Sequence, residues 1–214
     1  MKIVMLAVCF CAGLFAATPK LTYTKTFPGS VPEYMYVTVD RTGALEYSES
    51  RGDDRPLTAQ LPDADAAALF AMAEKLAYFK PPLESGLKVA NMGKKTFRYD
   101  NENGVATQTS FNYSTNETAQ QLLQRFEQIA ATEHAYIDLD RTVHFDKLGV
   151  NDALAEIESL WLHKQLAAPQ QFIPLFTRIA THESFMHLVR ERAARLKDEF
   201  AAASGPQASI QTPK

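Results

Sequence analysis

The chain has 214 residues, 46% hydrophobic and 22% charged, with a formal net charge of −3. That composition excludes a disordered chain and is enough for one sizeable core or two small ones. The mildly acidic balance offers no basic footprint of the kind nucleic acid requires, so no nucleic-acid partner is expected.

Met1 and Lys2 make a short positive start, Ile3 to Phe15 is an uncharged apolar run, and the small residues Ala16 and Ala17 follow. This is the pattern of a secretory signal peptide over 1–17, and the run falls short of the roughly 20 residues of a membrane span. A retained anchor and a buried first strand are the competing readings. Both cysteines, Cys9 and Cys11, lie inside this segment. The expected mature chain is secreted or periplasmic and has no disulfide, so packing alone must hold it together. No later stretch reaches membrane-helix length, so no transmembrane segment is expected after cleavage.

The next region, 18–133, reads as an antiparallel sheet packed by two helices, an α+β arrangement. Leu21, Tyr23, Lys25 and Phe27 alternate with threonines, as a strand would. Tyr34–Asp40 and Gly43–Glu49 form a hairpin around Asp40-Arg41-Thr42-Gly43, with Gly43 supplying the turn. Met35, Val37 and Val39 share one face of it, and Tyr34, Tyr36 and Thr38 the other. A short strand is expected within Pro56–Leu61. A second hairpin pairs Lys95–Asp100 with Gly104–Ser114 across Asn101-Glu102-Asn103. Leu83 to Gly93 reads as a loop with a short strand at Leu87–Ala90.

A helix follows each hairpin. Ala66, Leu69, Phe70, Ala73, Leu76 and Ala77 make one stripe over Asp63–Ala77. Ala119, Leu122, Leu123, Phe126, Ile129 and Ala130 repeat the same offsets over Glu117–Ala131. Ser114 and Glu117 match a capping box. The residues of the two halves do not match, so shared architecture accounts for the repetition better than duplication does.

The region 134–202 is expected to be helical. His134–Leu148 fits either a strand, through Ile137, Leu139, Val143 and Phe145, or a helix face of Ile137, Arg141, His144 and Leu148, and its helical company favours the helix. Three further helices are expected. The first carries Leu154, Ile157, Leu160 and Trp161 behind an Asn151 or Asp152 cap. The second is short, with Pro174 in its first turn. The last is capped by Thr181 and carries Phe185, Leu188, Val189, Leu196 and Phe200. The small, polar stretch 203–214 reads as a disordered tail.

No catalytic, cofactor or metal motif is found, and none of these is expected. His182 and His187 stand five apart, roughly 140° out of helical alignment, unlike the four-residue spacing of a zinc-protease pair. Asp63 with Asp65, and Asp138 with Asp140, read as solvated surface rather than paired acid–base groups. Arg190, Arg192, Arg195 and Lys197 are interleaved with Glu191, Asp198 and Glu199, which suits an ion-paired face. Asn112-Tyr113-Ser114 and Asn116-Glu117-Thr118 match the glycosylation acceptor pattern. Tyr34 and Tyr36 would favour partner contact if helices cover only the other face.

The outline of Leu21 to Ala77 is a strand, the hairpin YMYVTVDRTGALEYSES, a polar loop, PLTAQLPDADAAALF and KLAYF. It resembles small secreted bacterial domains of unknown function, and more loosely the emfourin group of metalloprotease inhibitors. That resemblance implies a reversible protein–protein contact made from the sheet or its loops, and it assigns no inhibitory residue. The function expected is a non-catalytic binding protein with a protein partner. The alternative is an envelope or secreted hydrolase using Asp, Glu or His chemistry.

Overall fold

The structure, a computed structural model, describes residues 18–204. The expected signal peptide lies outside the described residues, as does the expected tail beyond Ser204. The strands are β1 (Lys20–Thr26), β2 (Tyr34–Asp40), β3 (Ala44–Ser48), β4 (Leu57–Gln60), β5 (Lys94–Asp100) and β6 (Ala106–Phe111). They form one antiparallel sheet in the order β4-β3-β2-β1-β5-β6. The helices are α1 (Asp63–Lys75), α2 (Glu117–Phe145), α3 (Val150–Leu162), α4 (Ile173–Thr181) and α5 (His187–Ser204). The protein is therefore a mixed α+β fold with a helical C-terminal region. The described residues contain no cysteine, and no helix among them is long and apolar enough to cross a membrane.

Register explains the core. Opposed residues in an antiparallel sheet point to the same side, so Leu45, Val39, Leu21 and Tyr99 form one row across the sheet. Tyr47, Val37, Tyr23 and Phe97 form the next. Leu21, Tyr23, Val37, Val39 and Phe97 are completely buried. Ala66, Leu69, Phe70 and Ala73 of α1 cover these rows, together with Ala119, Leu122, Phe126 and Ile129 of α2. The Phe126 ring lies 5.4 Å from Tyr23 and 5.9 Å from Phe97. Truncating such a ring costs about 3–5 kcal/mol.

The hairpin turn needs its glycine. Gly43 has φ +82°, and a Cβ there would stand 2.5 Å from the Leu61 carbonyl oxygen. The Asp40 carboxylate closes the turn by accepting from the Thr42 and Ala44 amides at 2.8 and 3.1 Å.

Several local details differ from expectation. Leu87–Ala90 forms no strand. Helix α1 stops at Lys75, and a 3-10 turn over Ala77–Phe79 with positive φ at all three residues leaves Ala77 exposed. The cap of α2 is Asn116, whose side chain accepts from the Ala119 amide at 3.0 Å. Ser114 Oγ instead accepts from the Asn116 amide at 3.3 Å.

The largest difference is the length of α2. Its 29 residues make an unbroken rod of about 43 Å, running past Ala131 to Phe145. Its second half buries Ala135, Leu139, Thr142 and Val143 and exposes Arg141 and His144, so the buried face is rotated from the one expected, and Leu148 lies exposed in the turn beyond the helix end. That face joins a second apolar cluster with Leu154, Ile157, Phe172, Phe176 and Phe200. The Trp161 ring sits 4.7 Å from Phe200. Helix α3 begins after Gly149 with no side-chain cap, and the Thr181 hydroxyl donates back to the Thr177 carbonyl inside α4. Leu188 is exposed, while Phe185, Val189, Leu196 and Phe200 are buried. One helix thus serves two cores: Ala119 to Ala130 in the first, Ala135 to Val143 in the second.

Candidate functional site

Three places bring chemically capable side chains together. The first is the seam where α2 passes from one core to the other. Glu49, just beyond β3, accepts from the Tyr47 hydroxyl at 2.9 Å and meets His134 Nδ1 at 2.6 Å. Neighbouring Glu133 is 1% exposed. Its Oε1 accepts from Gln171 at 3.0 Å, and its Oε2 has no hydrogen-bond partner among the described residues. Burial pushes the Glu133 carboxyl up to about 7, against the lowering effect of the Gln171 bond. Burial, with Glu49 beside it, also lifts the Tyr47 phenol well above its ordinary range. A cleft of about 440 Å³ opens beside Tyr47, Glu49, Asp53 and Ile137.

A nucleophile is not joined to this group. Ser48 Oγ donates its one proton to Asp53 at 2.9 Å, with the Ser50 carbonyl also within reach at 3.0 Å. Glu49 and His134 form a separate pair, and no hydrogen bond links the two sets among the described residues. Triad chemistry needs the serine on the imidazole. The arrangement holds strand and helix together rather than activating an oxygen.

The second place is a cavity of about 400 Å³ between the β5–β6 end of the sheet and the start of α2. Lys25, Lys95 and Glu127 line it. Lys25 Nζ donates to Glu127 at 3.0 Å, and the Tyr23 hydroxyl reaches the same carboxylate at 3.4 Å. Lys95 is 4% exposed, and burial, then the nearby Lys25 charge, lowers its ammonium pKa.

The third place is the outer face of the sheet. Thr58, Glu46, Thr38, Thr22, Arg98 and Gln108 form one row across all six strands. Tyr36, Thr24, Thr96 and Ser110 form the next. Tyr34 and Tyr36 are half-buried here, and burial raises both phenols. The Arg51 guanidinium stacks on Tyr34 at 4.3 Å from the ring centre and donates to Thr26. The remaining contacts stay within the face: Thr22 with Thr38, Thr96 with Ser110, and Arg98 with Asp100. No hydrogen bond or ring contact joins this face to a helix among the described residues.

The residues singled out from sequence are placed as follows. His187 pairs with Glu191 at 3.3 Å, and His182 Nδ1 accepts from Ser184, so the two imidazoles do not converge. No group of three or more metal-ligating side chains occurs among the described residues. Asp138 pairs with Arg141, and Asp140 lies 3.4 Å from His144. Asp63 and Asp65 border a separate groove of about 870 Å³ between α1, α2 and the segment before α4. Arg192 and Arg195 both meet Glu158 of α3. Asn112 is spent on the Met92 amide and the Ala90 carbonyl, and Asn116 on its cap, so a glycan at either would displace structural bonds.

Sequence reasoning missed Glu49, Glu133, His134 and the two core-facing lysines. A signal for the lysines was present, since Lys25 follows Leu21 and Tyr23 in phase, and Lys95 precedes Phe97 and Tyr99 in phase. No protein-family model matches the chain, and no curated protein matches it.

Proposed function

We propose that the protein is an exported, non-catalytic binding protein that engages a protein partner through the open face of its sheet. The uncovered outer face carries this reading. Both described cores pack on the other side or beyond it, leaving Tyr34 and Tyr36 among threonines and paired charges. Six strands span about 24 Å and the seven residues of β1 about 23 Å. That is the scale of one side of a standard protein–protein interface. Tyrosine on such a surface supplies contact area with little entropic cost, and arginine is likewise enriched where proteins meet. A reversible, inhibitor-like contact fits the same face. Export rests on the Met1–Ala17 pattern.

The test is capture from the source's secreted or periplasmic fraction with the mature chain. Wild type and Glu156→Ala, an exposed change on α3, should retain the same partner. Tyr36→Ala and Thr24→Arg, which leave the core untouched, should lose it. Equal capture by all four proteins would overturn the reading. Mass spectrometry should place the mature N-terminus just after Ala16 or Ala17, and a retained Met1 would refute export.

The hydrolase reading draws on one observation, the buried Glu133 carboxyl behind the Glu49–His134 pair. It requires turnover that Glu49→Gln and Glu133→Gln both abolish. Activity on ester, peptide and glycoside probes would be measured to decide it.

A further inference from the structure

The core face of the sheet carries two lysines where its other rows are mostly aromatic and aliphatic. Lys25 and Lys95 stand directly opposite each other across β1 and β5. Met35 and Phe111 complete their row. Like charges in that relation destabilise a strand pair, and desolvation adds to the cost. Lys95 is fully compensated. Its ammonium donates to the carbonyls of Met92 (3.0 Å), Gly93 (3.3 Å) and Asn112 (2.9 Å), which uses all three protons. It is a clamp that fixes the loop before β5 against the end of β6, with no donor left for chemistry.

Lys25 is not spent in this way. Among the described residues it makes one hydrogen bond, to Glu127 Oε1, and keeps two donors. Among those residues Glu127 is also the one carboxylate in the cavity lining. Glu84, which accepts from the Asn112 amide at 2.6 Å outside that lining, acts on Lys95, so the uncommitted donors of the site are those of Lys25. Lys25, Lys95 and Glu127 all line the cavity of about 400 Å³, whose apolar walls include Met92, Phe111 and Leu123. That volume lies within the range of small-molecule sites, which pair apolar walls with a few convergent polar groups.

We propose that this cavity binds a small organic monoanion, a carboxylate with a short apolar tail. The carboxylate takes the two spare donors of Lys25, and the tail lies against Phe111, Leu123 and Met92. One lysine with two free donors, flanked by Glu127 and with Glu84 offsetting Lys95, suits a monoanion better than a phosphate dianion, and the apolar walls select against a bare ion. The site is on the opposite face of the sheet from Tyr34 and Tyr36, so its occupancy is independent of the partner surface above.

The test is a two-dimensional amide NMR titration of the mature chain with hexanoate and, separately, with hexanamide. Hexanoate should give saturable shifts at Met92, Asn112 and Leu123, and the neutral hexanamide should give none there. Lys25→Met should weaken hexanoate about tenfold or more, while Lys25→Arg keeps it. Leu123→Trp, which fills the cavity, should abolish it. The same spectra report whether each variant is folded. The proposal is overturned if hexanoate gives no saturable response, if hexanamide matches it, or if folded Lys25→Met binds undiminished. Should Lys25→Met fail to fold, the two probes on wild type and the Leu123→Trp spectrum decide the matter.

Discussion

Glu133→Gln should stabilise the protein at pH 8 and flatten its pH dependence. The folded environment raises the Glu133 carboxyl from 4.5 to about 7. Its folded pKa therefore exceeds its unfolded one, and the folded state holds the proton more tightly. Stability from this group is complete below about pH 4.5, falls as pH rises, and is lost above about 7. The full penalty is about 3 kcal/mol. Glutamine removes the charge but leaves an amide donor where Oε2 has no partner, at a cost of about 1 kcal/mol. The net expectation is about 2 kcal/mol of stabilisation at pH 8, or about 4–8 °C in Tm for a chain of this size, and little change at pH 5. Tyr47 and Tyr136, the other titrating groups facing Glu133, are both raised and do not titrate in this window. The nearby Glu49–His134 pair is present in both proteins, so its contribution cancels in the difference. Urea unfolding of wild type and variant at pH 5, 6, 7 and 8 measures the effect. Parallel pH curves, or a variant less stable than wild type at pH 8, would refute the reasoning.

Five further substitutions test the scaffold by equilibrium unfolding. Gly43→Ala should cost about 1–3 kcal/mol, because strain at φ +82° adds to the collision with Leu61. Gly104→Ala, with φ +73° and open space around it, should cost less. Asn116→Ala should cost about 1 kcal/mol through loss of the α2 cap, and Ser114→Ala less than that. Lys95→Met should cost about 2–4 kcal/mol, since it strands three carbonyls that now share one ammonium.

Much of the sheet region is legible from sequence because its signals are local. Alternation places Val37 and Val39 inward and Tyr36 outward. Gly43 marks the turn, and the stripe of Leu122, Phe126 and Ile129 has helical period. The central place of β1 is less legible. It pairs with β5 across a long separation in the chain, and only register brings Lys25 opposite Lys95. The continuation of α2 is hidden for a different reason. Its buried face there includes Thr132, Glu133 and Thr142, polar residues that break the apolar stripe, and tertiary packing fixes the rotation. The same break conceals the seam, because a buried glutamate looks like surface until its neighbours are known. The turn at Ala77–Phe79 places positive φ on three residues that carry no such preference. The open face follows from the tyrosine and threonine alternation once the helices are known to cover the other side.

The role of that face is tested most directly by tyrosine footprinting of the free protein and of its complex with the captured partner. Modification of Tyr34, Tyr36 and Tyr113 is read by mass spectrometry. Complex formation should protect Tyr34 and Tyr36 and leave Tyr113, on the lysine cavity, unchanged. Undiminished labelling of Tyr34 and Tyr36 in the saturated complex would contradict the account.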